Sequence, residues 1–407
     1  MRIAAINTTA SVAHAPARIA MQALDAAAAA GHDTLMIYGR GAFNGPSHLR
    51  HYRCGTPAET VWHYLMSRIN DSQGLHSRRS TRRAIEYLAH FRPDVVHLHN
   101  LHGHYLHVPM LARWLADNDI STIITTHDCW PYTGHCTLHS HRGCMQWTSG
   151  CAAACPCRDE YPATIFGNAS RNYRWKEQVA RLLPHAIVTA VSPSQAKWLR
   201  QSILRHNEVV AIPNAVDTSV LRPCADKVKG LILAVANRWE TRKGIDDIIR
   251  LSGETGPDYT IELIGDYRGR LPGNVTAVGR VDDPHELARR YSRAEVFVNP
   301  SRGESFGMTT IEALACGTPV VVNDAPALND VAAPGRGTVA EIVDTTDTAS
   351  LMAAIQRAKE HSPEACRTFA CDNHPIELMK SRYLELYQRI IPQQHDVDST
   401  NKCKTNR

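Results

Sequence analysis

Short apolar runs rich in β-branched residues alternate with amphipathic stretches along almost the whole chain, and this alternation constrains the fold more than any other feature. MRIAAIN at the start reads as a strand and residues 17–30 as a helix. TLMIYG (34–39), VVHLH (95–99), STIITT (121–126), AIVTAVS (186–192) and VVAIPN (209–214) follow, each separated from the next by a helical pattern. A second series runs through GLILAVA (230–236), TIELIG (260–265), VTAVG (275–279), VFVNP (296–300) and PVVVN (319–323). Buried runs of this length that alternate with helices predict parallel sheets covered by helices on both faces. The predicted class is therefore α/β, with two doubly wound domains facing across a cleft. Such sheets bind ligands at the carboxyl ends of their strands.

A chain of 407 residues is too long for one ordinary core. The break falls at VDTSVLRPCADKVKG (216–230), where Pro223 and a polar stretch separate the two series. The expected units are residues 1–217, a linker at 218–229, and a second domain at 230–375. A terminal helix at 376–392 is expected to pack back on the first domain, and 393–407 to form a polar tail. Hydrophobic residues make up 43% and charged residues 21%, which is ordinary globular composition. The net charge of +5 suits a surface facing phosphates or an anionic leaflet and does not call for a nucleic-acid partner. No apolar run approaches the ~20 residues that span a bilayer, and the N-terminal stretch lacks the pattern of a secretory signal. The expectation is a cytoplasmic protein, monomeric or weakly dimeric, whose thiols stay reduced.

PSRGESFGMTTIEALACGTPVVV (300–322) is the strongest candidate for chemistry. A strand end leads through a polar loop into a helix that starts near Gly307–Thr309. The free N–H groups of that first turn, at Gly307, Met308 and Thr309, favour an anion such as a diphosphate. Glu304 on the loop can hold a sugar hydroxyl or stabilise a cationic transition state, and Glu312 inside the helix can accept from a ribose diol. In AVANRWETRKG (234–244), Arg238 and Lys243 follow the first strand of the second domain, where two cations offset a diphosphate leaving group. His97, His99 and His127 sit at strand ends of the first domain, with Asp128 beside the last, placed for substrate hydroxyls or phosphates.

These segments resemble a known family. ESFGMTTIE matches the Glu-x7-Glu motif of retaining glycosyltransferase family four, which has the GT-B fold of two Rossmann-like domains. DVVHLHN, THDCW, AVSPSQ, IPNAVD and CGTPVV match it in the expected order. LHNLHGHYL, HDCWPYTGHC, GCMQWTSGC and SRNYRWKE are similar to bacterial polysaccharide-assembly enzymes of the colanic-acid and capsule type. The resemblance implies a nucleotide-diphosphate-sugar donor bound by the second domain and a saccharide acceptor, lipid-linked in many members, bound by the first. It implies that Arg238 and Lys243 hold the diphosphate, Glu312 the ribose and Glu304 the transferred sugar. Ser305 and the amides of Phe306 to Met308 lie nearby, His127 reaches the sugar, and Arg280 and Val281 complete the donor site. It implies no cofactor or catalytic metal, and peripheral contact with the inner membrane through basic stretches such as HSRRSTRR (76–83) or RNYRWK (171–176). One departure stands out. In the first loop, NTTASVAHAPARIA (7–20), Ala13, Ala15 and Ala17 replace the glycines that the family places beside the donor phosphates. This keeps two alternatives in view, an epimerase on the same architecture and a degenerate transferase acting as a scaffold.

The window THDCWPYTGHCTLHSHRGCMQWTSGCAAACPC (126–157) holds six of the twelve cysteines. Cys136, Cys144, Cys151 and Cys155 are the candidate ligands of a structural zinc, with Cys157 or His139 as substitutes. Reduced buried thiols and disulfides are the alternatives, and Cys129 reads as a small packed residue.

Overall fold

The computed structural model describes residues 1–391 apart from Ala153. Residue 392 of the expected terminal helix and the tail at 393–407 lie outside the described residues. Two all-parallel sheets carry the chain. The first comprises β1 (Arg2–Asn7), β2 (Asp33–Tyr38), β3 (Arg50–Arg53), β4 (Val95–Leu98), β5 (Ser121–Thr126), β6 (Ile187–Ala190) and β7 (Glu208–Ala211), in the order β3-β2-β1-β4-β5-β6-β7. The second comprises β8 (Val228–Arg238), β9 (Thr260–Asp266), β10 (Val275–Gly279), β11 (Ala294–Asn299), β12 (Val320–Asn323) and β13 (Ala340–Val343), in the order β10-β9-β8-β11-β12-β13.

In each sheet the strand order reverses beside the first strand, between β1 and β4 and between β8 and β11. Loops diverge at such a switch point and leave a crevice above the strand ends. The loops that leave β1, β4, β5, β8 and β11 carry nearly all the residues singled out from the sequence, so topology alone gathers them. Two strands escaped the sequence reading. Edge strand β3 (RHYR) is mostly exposed and has no apolar run, and β13 (AEIV) is only four residues long.

The terminal helix Ile376–Ile390 returns to the first sheet. Its buried Met379, Tyr383, Leu386 and Tyr387 share one core cluster with Ile3, Ala5, Leu24 and Ile123. Full burial of side chains of this size contributes about 1.5–3 kcal/mol each before conformational entropy is subtracted. The crossing is pinned where Val216 N–H donates to His374 O at 3.0 Å.

Candidate active site

The C-terminal wall forms because β8 and β11 are neighbours. The turn Thr241–Lys243 follows β8 and the loop 300–307 follows β11. Arg302 N–H donates to Arg242 O at 3.0 Å, and the Arg302 guanidinium meets buried Asp247 at 2.8 Å, which locks the loops side by side. Lys243 Nζ and the Glu304 carboxylate therefore meet as an ion pair, both largely buried. The helix Met308–Ala315 starts at Gly307, whose φ is 105°. A Cβ there would stand 2.8 Å from Leu328 Cδ2, so both backbone and space require glycine. Asn299, at the end of β11, accepts from Ser301 N–H and donates to Thr310 Oγ1, holding the turn open. Lys243, Glu304 and Gly307 line one cavity with His127, Ala15 and Pro16 of the N-terminal half. Ser305, Met308 and Thr309 also line it, as does Phe306. The Phe306 side chain is buried in the core, which leaves its backbone for a ligand.

Opposite stands a string of histidines. His127 Nε2 lies 2.9 Å from His99 Nδ1, and the two rings stack at 5.2 Å. His97 packs on His99 with ring centroids 4.0 Å apart, and its two nitrogens bond Tyr387 Oη at 2.7 Å and Thr125 Oγ1 at 2.6 Å. Burial is the main cause that pushes His97 down to about 3 and His127 down to about 4, and it holds His99 well below the usual histidine range. All three are neutral near pH 7. His97 and His99 are 0% and 1% exposed, which corrects the expectation that they touch substrate. They form the floor that fixes His127, which itself borders the cavity.

Asp128 turns away from the cavity lined by Lys243 and Glu304. It accepts from His102 Nε2 at 2.7 Å and from Trp130 N–H at 2.9 Å. Burial raises its pKa, but His102 and the Trp130 amide outweigh that and hold it below the usual range. His102 Nδ1 continues to Tyr161 Oη at 3.2 Å. Tyr161 opens on a second groove with Tyr64, Arg68, His104 and Arg238. Arg238 thus borders this groove and not the cavity of Lys243, while its neighbour Asn237 borders that cavity, so the two spaces adjoin at the end of β8.

Other placements differ from expectation. Glu312 is 7% exposed, receives a hydrogen bond from Tyr291 Oη at 3.0 Å, and lies 3.6 Å from Arg18 of the N-terminal half. Arg280 pairs with Asp282 at 2.9 Å and Val281 rests on the core, and neither borders the cavity. The stretch 171–176 is not a surface. Asn172, Tyr173, Trp175 and Lys176 are buried. Lys176 Nζ donates to Trp130 O at 2.6 Å and Thr133 O at 2.9 Å, and burial pulls it down to about 7. The alanines of the first loop impose no strain, since no residue from 8 to 17 has positive φ. Arg18, His102 and Tyr161 escaped the sequence reading because each acts through a partner remote in sequence.

The expected zinc set is also corrected. Cys136, Cys155 and Cys157 come together, with their sulfurs within 4.8 Å of one another. Cys144 and Cys151 do not join them. The Cys151 sulfur instead accepts from Gly134 N–H at 3.2 Å. His139 stacks on Trp147 and bonds Tyr132, which removes it as a substitute. Cys129 is buried as expected, and no disulfide forms among the described residues.

Residues 17–220 match the Glycosyltransferase Family 4 profile, and residues 225–361 match Glycosyl transferases group 1. A relative named for colanic acid biosynthesis, the glycosyl transferase WcaC of Escherichia coli (strain K12), is 25% identical over 265 residues, which is 61% of this chain and 64% of that one. MMP alpha-(1->4)-mannosyltransferase of Mycolicibacterium hassiacum is 28% identical over 47% of this chain and 49% of its own. The matches thus span less than two thirds of either relative. Among solved structures, sucrose-phosphate synthase from Thermosynechococcus elongatus superposes with a TM-score of 0.68 at 19% identity, covering 96% of this chain and 98% of that one. Anabaena Alr3699/HepE in complex with UDP-glucose gives 0.61 at 12%, covering 96% and 100%. These neighbours show the GT-B fold. With half of its length matched by one profile and a further 137 residues by the other, the chain belongs to glycosyltransferase family four.

Proposed function

We propose that the chain transfers a sugar, with retention of configuration, from a nucleoside-diphosphate sugar to a saccharide acceptor in bacterial surface-polysaccharide assembly. The observation that carries this reading is the convergence of Lys243, Glu304 and the helix start at Gly307 in one cavity facing His127. The ammonium and the helix N-terminus offset the charge of a departing diphosphate without a metal. Glu304, released from Lys243 when the diphosphate arrives, faces the sugar as positive charge develops there. His127, neutral near pH 7, offers Nδ1 to a sugar hydroxyl. Arg238 approaches the diphosphate from the adjoining groove, and Glu312, inside the helix Met308–Ala315 and 3.6 Å from Arg18, is the ribose contact. The relative named for colanic acid biosynthesis supports the pathway class.

The groove bordered by Tyr64, Arg68, His104, Tyr161 and Arg238 supports a transferase over an epimerase, which needs no acceptor channel. Its mouth supports a lipid-linked acceptor. Tyr64 and Arg68 belong to the helix Pro57–Asn70, whose Val61, Trp62, Leu65 and Ile69 are exposed. Ile165 and Phe166, also exposed, are tied to that helix by N–H bonds to Arg68 O and Ile69 O. The basic Arg78 and Arg79 border the same hollow as Trp62. An apolar patch rimmed by arginines fits an anionic bilayer surface, and no helix among the described residues is long and apolar enough to cross a membrane. In this reading residues 1–217 are the acceptor domain, 218–229 the linker and 230–375 the donor domain.

The test is Glu304→Gln. Loss of a charge aimed at the transition state costs about 2.7–4 kcal/mol, or roughly 10²–10³ in turnover. Nucleoside-diphosphate binding is expected to persist, since the substitution frees Lys243 from its partner. Near wild-type turnover in the variant would overturn the role of Glu304.

A further inference from the structure

Between β5 and the helix Ala169–Leu182 the chain runs through residues 127–168, where the described residues form three single 3-10 turns and no α-helix or strand. Loops beyond ~12–15 residues without regular structure are uncommon in compact domains unless something holds them. Here the Cys136 thiol meets those of Cys155 and Cys157, some twenty residues further along the loop. Cys136 is 5% and Cys157 0% exposed, and Cys155 lies between them. A second cluster shares Cys157, because a His141 ring nitrogen, the Cys157 sulfur and a Glu160 oxygen are also within 4.8 Å of one another. His141 is oriented in a telling way. Its Nε2 lies 2.8 Å from Glu160 Oε1, which Arg142 holds from the other side at 3.0 Å. Its Nδ1 is buried with no hydrogen-bond partner. A buried orphan ring nitrogen is costly. A histidine that binds a metal through one nitrogen donates the other N–H to a carboxylate, as His141 is placed to do with Glu160.

We propose that Cys136, Cys155, Cys157 and His141 hold one structural zinc ion. Three thiolates and an imidazole form a soft tetrahedral set that selects zinc over hard divalent ions and leaves no open position for catalysis. Zn–S bonds of about 2.3 Å place tetrahedral sulfurs about 3.8 Å apart. Sulfurs already within 4.8 Å of one another need shift by no more than about 1 Å to reach that spacing. Binding releases the thiol protons to solvent and changes no oxidation state.

The place of the site gives it a consequence. A Cβ on Gly303 would stand 2.7 Å from Leu138 Cδ2, 3.1 Å from Ser140 Oγ and 3.2 Å from His141 Cβ. The segment 138–141 thus presses on the backbone of the donor loop one residue before Glu304. A metal that fixes His141 braces that loop across the domain cleft.

Elemental analysis of the full chain, purified without a metal-affinity tag, is expected to find about one zinc per chain. Cys157→Ser is expected to lose the metal and lower the unfolding temperature, while Cys144→Ser and Cys151→Ser keep it. Should Cys157→Ser fold poorly, the wild-type chain stripped of metal and loaded with cobalt supplies a second reading. Thiolate-to-cobalt charge transfer with intense tetrahedral bands is expected, and His141→Ala is expected to alter those bands while charge transfer persists. Absence of stoichiometric zinc together with an octahedral cobalt spectrum would overturn the proposal. So would loss of metal from Cys144→Ser or Cys151→Ser equal to that from Cys157→Ser.

Discussion

Lowering the pH from 7 to about 5 is expected to destabilise the N-terminal half severely, because it buries histidines in neutral form. His63 and His97 are 0% exposed and His104 is 5% exposed. Burial, aided by neighbouring histidines or Arg40, pulls them down to about 2, 3 and 4 from an ordinary 6.5. The unfolded chain takes up a proton at each below 6.5, whereas the native chain refuses it until about pH 4 or lower. In this window the unfolded state binds more protons, so stability is present above 6.5 and falls as the pH drops. Over the 1.5 units from 6.5 to about 5, each histidine contributes a loss of about 2 kcal/mol, at ~1.4 kcal/mol per unit. Three together remove about 6 kcal/mol, a large part of the roughly 5–15 kcal/mol that holds a typical domain. Urea unfolding followed by tryptophan fluorescence reads this directly, because Trp130, Trp147 and Trp175 are all buried in this half. His97→Gln should flatten the dependence of stability on pH by about 1.4 kcal/mol per unit, the worth of one proton. A free energy unchanged between pH 7 and 5 would refute the reasoning, since these rings would then be charged within the fold.

Lys243→Ala is expected to weaken nucleoside diphosphate binding about tenfold or more, and the monophosphate much less, because Lys243 opposes the second phosphate. Calorimetry that found equal losses would place Lys243 elsewhere. At low salt the protein is expected to sediment with phosphatidylglycerol vesicles, and a Trp62→Glu, Phe166→Glu double variant to stay in solution. Equal sedimentation of both would remove the exposed face of the helix Pro57–Asn70 from membrane contact.

The periodicities determined much by themselves. Alternating β-branched runs fixed two parallel sheets, because a strand buried on both faces must be apolar throughout; eleven strands are legible as such runs, though the edge strands β7 and β10 are only partly buried. The Glu304–Gly307–Glu312 segment was legible because a strand end, a glycine and a helix start are local features. What the tertiary structure decided was who meets whom. From the sequence alone Lys243 and Glu304 each face a ligand, yet in the fold they face each other, because adjacency of β8 and β11 is set by strand order and not by sequence distance. From the sequence His97 and His99 belong at a strand end open to a ligand, but the terminal helix, some 290 residues on, closes over His97 and turns it into a floor. The cysteine spacing suggested ligands, but only the path of the loop brings Cys157 to Cys136 and Cys155, sets His141 and Glu160 beside Cys157, and leaves Cys144 and Cys151 out. Local propensity acts within a few residues, whereas ligation, ion pairing and burial depend on distances that chain folding alone establishes.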